Sequence, residues 1–163
     1  MMMIRSTAAA VASAVVLIAG VSVAVVSSQG TKSAPAAGKP SVAVFKSPTC
    51  GCCAKWNEHM TAAGYAVAST DRTDMNAIKD EHRIPSALRS CHTALVAGYV
   101  VEGHVPADVV AKLLAEKPAG VVGIAVPGMP AGSPGMESPD GFKTPYQVLA
   151  FTKDGQSRVY TTK

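Results

Sequence analysis

Acidic residues are missing from the first 40 positions of this 163-residue chain, which hold only three cations, Arg5, Lys32 and Lys39. That absence relocates the net charge of +4, because the other 123 residues carry 12 Lys or Arg against 11 Asp or Glu. A near-neutral domain without a Lys/Arg run has no electrostatic footprint for phosphate backbones, which argues against nucleic acid as the main partner. No glycine-rich phosphate loop is present, and the acids show no paired spacing of the kind hydrolysis uses. Internal repeats are also lacking. The length suits one ordinary domain with an appendage.

The appendage is the N-terminus. Ala8 to Val26 is a 19-residue stretch with 16 apolar residues and no charge, and Arg5 precedes it. A basic start followed by an apolar run reads as an export signal. The run is also nearly long enough to span a bilayer, so an uncleaved anchor with a cytoplasmic N-terminus is the close alternative. Residues 1–26 are therefore expected to be a signal peptide or membrane anchor. Either reading puts the remainder of the chain outside the cytoplasmic membrane, with membrane contact only through this segment. Residues 27–40, rich in Ser, Ala, Gly, Pro and Lys, read as a flexible linker. The domain is expected over 41–163.

Within it, Ser41 to Phe45 reads as a strand broken by Ser47-Pro48-Thr49. Ala54 to Ala63 reads as a helix closed by Gly64, Tyr65 to Ser69 as a strand, and Thr73 to His82 as a helix ended by Pro85. Thr93 to Ala97 and Tyr99 to Val105 form an expected hairpin around Gly98. Pro106 suits the first turn of a helix through Glu116. A Gly/Pro/Met-rich segment follows over Val126 to Ser138. The chain then ends in a hairpin, Tyr146 to Thr152 and Arg158 to Thr161, turning at Asp154-Gly155. The order β-α-β-α-β-β-α, with a Cys-x-x-Cys spacing at the first strand-to-helix junction, predicts an α/β domain of the thioredoxin-like arrangement with an additional C-terminal hairpin.

Cysteine is sparse but concentrated: Cys50, Cys52 and Cys53 lie within four residues, and Cys91 follows with His92 beside it. Three readings compete. A structural staple is plausible for an exported chain. A Cys50–Cys53 bridge would contribute about 2 kcal/mol and a Cys53–Cys91 bridge about 4 in the chain-entropy description. Three adjacent cysteines serve a staple poorly, since neighbours hinder one another. A thiol–disulfide oxidoreductase would use Cys50 and Cys53 as its catalytic couple, with thiolates favoured at a helix start. The extra Cys52 argues against a simple two-cysteine catalyst. The third reading is a soft-metal site. Clustered thiolates suit Cu(I), Zn(II) or an iron–sulfur cluster, and the spacing fits neither common zinc-finger nor ferredoxin patterns. Softness, export and nearby methionines favour Cu(I), and crowded thiolates that bridge allow more than one ion.

In the expected topology the strand near Thr93 begins at the end of the sheet where the first helix starts. Cys91 and His92 then face the Cys50–Cys53 turn, and the hairpin returns His104 to the same end. Strand neighbours point to opposite faces, which sets Cys91 and His92 against sharing one ion. His92, His104, Met129 and Met136 are the second-rank ligand candidates. The bland alternatives are a polar residue near a helix start for His104 and loop packing for the methionines. His59, about 10 Å of helix rise from Cys52, reads as surface or packing, and His82 as a solvated helix residue. Met60 and Met75 read as packing, and Trp56 as packing beside the site.

The chain resembles the CopG-like family of exported bacterial copper-resistance proteins over about Val42 to Tyr160. The resemblance is carried by Ser47-Pro48-Thr49-Cys50-Gly51-Cys52-Cys53 with Trp56, by Ser90-Cys91-His92-Thr93-Ala94, by Gly98 to Ala107, and by Ala125 to Pro130 with Gly132 to Glu137. It implies a thioredoxin-like fold, a periplasmic setting and copper handling through the clustered cysteines. The expected role is protection against excess copper by sequestration, handover or redox cycling. The expected partners are copper ions and periplasmic copper chaperones or efflux components. The alternative is a metal-independent oxidoreductase using Cys50 and Cys53. A passive interaction module with inert disulfides stands third.

Overall fold

The computed structural model describes residues 38–163. The expected signal or anchor over 1–26, and the expected linker as far as residue 37, lie outside the described residues. Lys39 lies over the Tyr65 ring, 4.6 Å from its centroid, and donates to the Ala63 carbonyl.

The protein is an α/β domain. Its elements run β1 (Val42–Lys46), α1 (Gly51–Ala62), β2 (Val67–Asp71), α2 (Met75–Glu81), a 3-10 turn (Ser86–Leu88), β3 (His92–Val96), β4 (Tyr99–Glu102), α3 (Ala107–Glu116), β5 (Val121–Ala125), β6 (Gln147–Thr152) and β7 (Ser157–Thr162). The seven strands form one sheet in the order β2-β1-β3-β4-β5-β6-β7. The β1–β2 and β4–β5 pairs are parallel, and the others antiparallel.

Strand alternation sorts the apolar side chains to two faces. Val42, Val44, Ala94, Val96 and Val101 pack with Trp56 and Met60 of α1 and with Val109, Val110 and Leu113 of α3. Val100, Ala125 and Phe151 pack on the other face with Ile84 and Leu88 around the 3-10 turn. Between β3 and β4, Ala97 and Gly98 both have positive φ (47° and 85°), the pairing a tight two-residue turn requires.

Three expectations shift. Helix α1 starts at Gly51, so Cys52 and Cys53 lie in its first turn and Cys50 is the residue that precedes it. Pro106 stands just before α3 rather than inside it. Strand β5 is the unanticipated element, and it joins the C-terminal hairpin to the main sheet. Its Gly123 masks the strand pattern for a physical reason: a Cβ there would stand 2.5 Å from the Phe151 ring, so only glycine lets that ring lie across the strand.

Candidate metal centre

The loop from β1 brings Cys50 to the N-terminus of α1, where its N–H donates to the Ser47 carbonyl (3.1 Å). Cys50 and Cys53 are joined in a disulfide with Cα atoms 5.3 Å apart. Cys53 turns into the core with Trp56 and Met60, at the i, i+3, i+7 spacing of the buried helix face. Cys52 and Cys91 are free, half-buried thiols. The Cys52 sulfur is 3.6 Å from that of Cys50. All four sulfurs lie within 4.8 Å of one another.

Cys91 belongs to a second group, with His92 and His104. Its Sγ is 3.3 Å from His92 Nδ1 and 2.9 Å from His104 Nε2. The alternation that set Cys91 and His92 on opposite faces does not operate. Strand β3 begins at His92, and Cys91 sits in the bend before it. His104 likewise lies past the end of β4. The chain turns there at Gly103 (φ 72°), where a Cβ would stand 2.5 Å from the Ser90 hydroxyl and 2.7 Å from the Val126 carbonyl.

The His104 tautomer and the orientation of both imidazoles are set by their neighbours. Among the described residues the only partner of His104 Nδ1 is the Pro134 carbonyl at 2.7 Å, so that nitrogen carries the proton. Its Nε2 lone pair is left facing Cys91. A ligating histidine is commonly oriented in this way by a carbonyl behind it. His92 stacks on Trp56 with ring centroids 4.5 Å apart and meets the His104 ring edge-on at 5.1 Å. Trp56 is itself fixed by donating to the Val105 carbonyl at 2.8 Å. His92 Nε2 is buried without a hydrogen-bond partner among the described residues.

Burial sets the electrostatics. Desolvation holds His92 well below the ordinary histidine value, aided by His104 and the Lys79 charge. Desolvation also lowers His104, partly offset by the Pro134 carbonyl and Glu137. Both rings are therefore neutral near pH 7 and keep a lone pair. Burial, followed by the neighbouring Cys52, pushes the Cys91 thiol up to about 12. A protonated Cys91 can donate to His104 Nε2 in the ion-free state. The arrangement offers two reactive features: a disulfide, and soft sulfur and imidazole donors converging on one thiol.

The other sequence candidates are placed elsewhere or less tightly. Met129 is half-exposed (51%) and Met136 half-buried, both in the segment between β5 and β6. His59 has a packing role of a kind that sequence spacing does not show. Its Nε2 accepts from the Ala107 N–H at 3.0 Å and so caps α3 from another helix. His82 stacks beside Phe45 at 6.4 Å. Sequence reasoning missed the buried pair Lys79–Glu102 behind the Cys91 bend. The available signal was an acid closing the apolar run Tyr99-Val100-Val101-Glu102.

Fold and site together define an α/β domain with a cysteine–histidine cluster at one end of its sheet. A family model described as a protein of unknown function, DUF411, matches residues 88–136, which include Cys91, His92 and His104. Two solved structures titled "Copper resistance protein copG", Form 2 and Form 1, are each 42% identical to the chain. Each match covers 77% of this chain and 98% of the other, with TM-scores of 0.72 and 0.71. A comparison with curated proteins finds no match. The chain belongs to the CopG-like family.

Proposed function

We propose that this protein is an exported copper-binding protein that holds Cu(I) through Cys50, Cys52, Cys53 and Cys91 and serves copper resistance. One observation carries the reading: the Cys91 thiol belongs at once to a four-sulfur group and to a Cys–His–His group, each with its donor atoms within 4.8 Å. Thiolates select soft cations, and a thiolate shared between two groups suits a bridge between two ions. His92 and His104 are the next donors, neutral and oriented. His92 presents Nδ1 to the shared thiol, 3.3 Å from the Cys91 sulfur. Copper as the cargo is supported by the likeness to two solved copper-resistance proteins.

The bridge closes two of the four sulfur donors. Its reduction by an external dithiol, itself oxidised to a disulfide, yields two thiols, and each thiol that takes Cu(I) releases its proton. Copper loading is thereby linked to the redox state of the Cys50–Cys53 pair. Export to the periplasm, by cleaved signal or anchor, is supported by the basic start and apolar run, and by a disulfide of the kind that persists in oxidising compartments. We read the fold as thioredoxin-like, on the β1-α1-β2 unit followed by the β3–β4 hairpin and α3, with Cys-x-x-Cys at the β1–α1 junction. Copper chaperones or efflux components are the partners this role calls for.

Anaerobic Cu(I) titration of the reduced protein tests the reading. We expect tight, thiolate-dependent binding whose stoichiometry falls in a Cys50→Ser, Cys53→Ser double variant. Unchanged stoichiometry overturns it. A second reading, a metal-independent thiol–disulfide oxidoreductase, is favoured by one observation, the Cys50–Cys53 bridge itself. It predicts disulfide exchange catalysis in metal-free buffer, and absence of that activity removes it.

A further inference from the structure

We propose that the buried Lys79–Glu102 pair is a positioning device for the Cys91 bend, bracing it from the sheet face opposite His92. Lys79 (4% exposed) and Glu102 (0%) lie in the interior. Taking such a pair out of water is costly, and a well-packed apolar pair of similar volume commonly serves stability as well. Stability alone therefore gives a poor account of it.

What the pair holds is specific. Glu102 Oε1 accepts from Lys79 Nζ (2.5 Å) and from the Ser90 N–H (2.6 Å), and Oε2 accepts from the Thr93 hydroxyl (2.6 Å). Lys79 Nζ also donates to that hydroxyl at 3.1 Å. Thr93 lies directly across from Glu102 on β4 and shares the face of Leu95 and Val100, the face covered by the 3-10 turn. His92 lies on the other face, against Trp56. Ser90 stands outside any helix or strand, so its N–H depends on this carboxylate for a partner. Its hydroxyl donates to the Gly128 carbonyl at 2.6 Å. Residues 90 and 93 are thus tied to one buried carboxylate, and Cys91 and His92 are the two residues between them. Groups hydrogen-bonded directly to metal ligands typically change affinity by about 10- to 100-fold, and this pair acts through the two residues that flank Cys91 and His92.

The positioned group matters for metal only if the Cu(I) reading above holds, so the test includes metal-free readouts. Removing one partner alone leaves an unpaired buried charge, and two neutral pairs avoid this. Lys79→Met with Glu102→Gln keeps an oxygen to accept from the Ser90 N–H and puts an amide N–H where the Thr93 hydroxyl can accept it, whereas Lys79→Met with Glu102→Leu deletes both partners. We expect the first pair to stay within about twofold of the native protein. The second should lose about tenfold or more in Cu(I) affinity, by competition with a chromogenic Cu(I) chelator. In the bridged, metal-free form, alkylation of Cys91 should accelerate several-fold in the second pair only. A folded second pair with native alkylation rate and native affinity overturns the proposal, as does equal loss in both pairs. Hydrogen exchange on the native protein decides the matter even where a variant fails to fold. The Ser90 amide should be protected, and exchange at a free-loop rate overturns the proposal. A native protein that takes up no Cu(I) overturns the copper reading, while alkylation and exchange still judge the positioning.

Discussion

Cys91 is the residue on which the site turns, and its burial governs its chemistry. Its thiol is pushed up to about 12, first by desolvation and then by Cys52. In the bridged form only Cys52 and Cys91 are free to react. The thiolate is the nucleophile, and its fraction rises about tenfold per pH unit below the pKa. Alkylation of Cys91, followed by mass spectrometry in metal-free buffer, should therefore be slow near neutrality and still climbing at about pH 10. A rate that levels off near pH 9 would show an ordinary thiol and count against the buried geometry. The importance of Cys91 was legible in the sequence through its neighbour His92 and its place before a strand. That both residues reach one point was not, because a one-residue difference in where β3 begins decides whether alternation applies.

Among the elements, the segment between β5 and β6 does more than its composition suggests. Ser133, Pro134 and Gly135 are buried, and Pro134 sets the tautomer of His104. Gly135 (φ 87°) lies against the first turns of α1, where a Cβ would stand 2.6 Å from the Cys52 carbonyl and 3.0 Å from the Trp56 nitrogen. These are backbone atoms of a helix, so the neighbour cannot yield. Gly135→Ala combines that clash with a left-handed conformation, which costs about 1–3 kcal/mol by itself. We expect a thermal midpoint lower by several degrees, with weaker Cu(I) binding as Pro134 is drawn away from His104. A variant with native midpoint and native affinity would show that this segment does not brace the site. Helices and hairpins were readable from periodicity, Pro and Gly. Strand β5 was not, because its glycine serves a contact with a ring that arrives from β6.

Taken whole, the molecule holds three histidines in neutral form, His92 and His104 buried and His59 half-buried. His59, His92 and His104 all have pKa values lowered from the ordinary histidine value of 6.5, each first by desolvation. A group whose folded pKa is depressed in this way lets the unfolded chain bind more protons as pH falls below 6.5, so acid favours unfolding. Protonated His59 also cannot accept from the Ala107 N–H that it caps. The metal-free, bridged protein should therefore be less stable at about pH 5.5 than at about pH 7.5, as read from urea midpoints. Glu102, raised first by burial, contributes with the opposite sign, one group against three. A midpoint that holds or rises on acidification would show that these rings are not buried as described.

Some features follow from the sequence alone because their causes are local. Apolar alternation, Pro and Gly breaks and the crowding of three cysteines at a strand-to-helix junction specify an α/β chain with reactive sulfur at the first turn of α1. The near-neutral charge of residues 41–163 likewise needs no coordinates. Other features required the tertiary structure because their partners are far apart in the chain. Cys91 meets the Cys50–Cys53 bridge across a 38-residue separation only through the β1–β3 pairing. His104 owes its tautomer to a carbonyl 30 residues on, and Ser90 owes its N–H partner to a carboxylate 12 residues on. Hydrogen bonds and burial act through distance in space, and distance along the chain carries little of that information until the sheet has assembled.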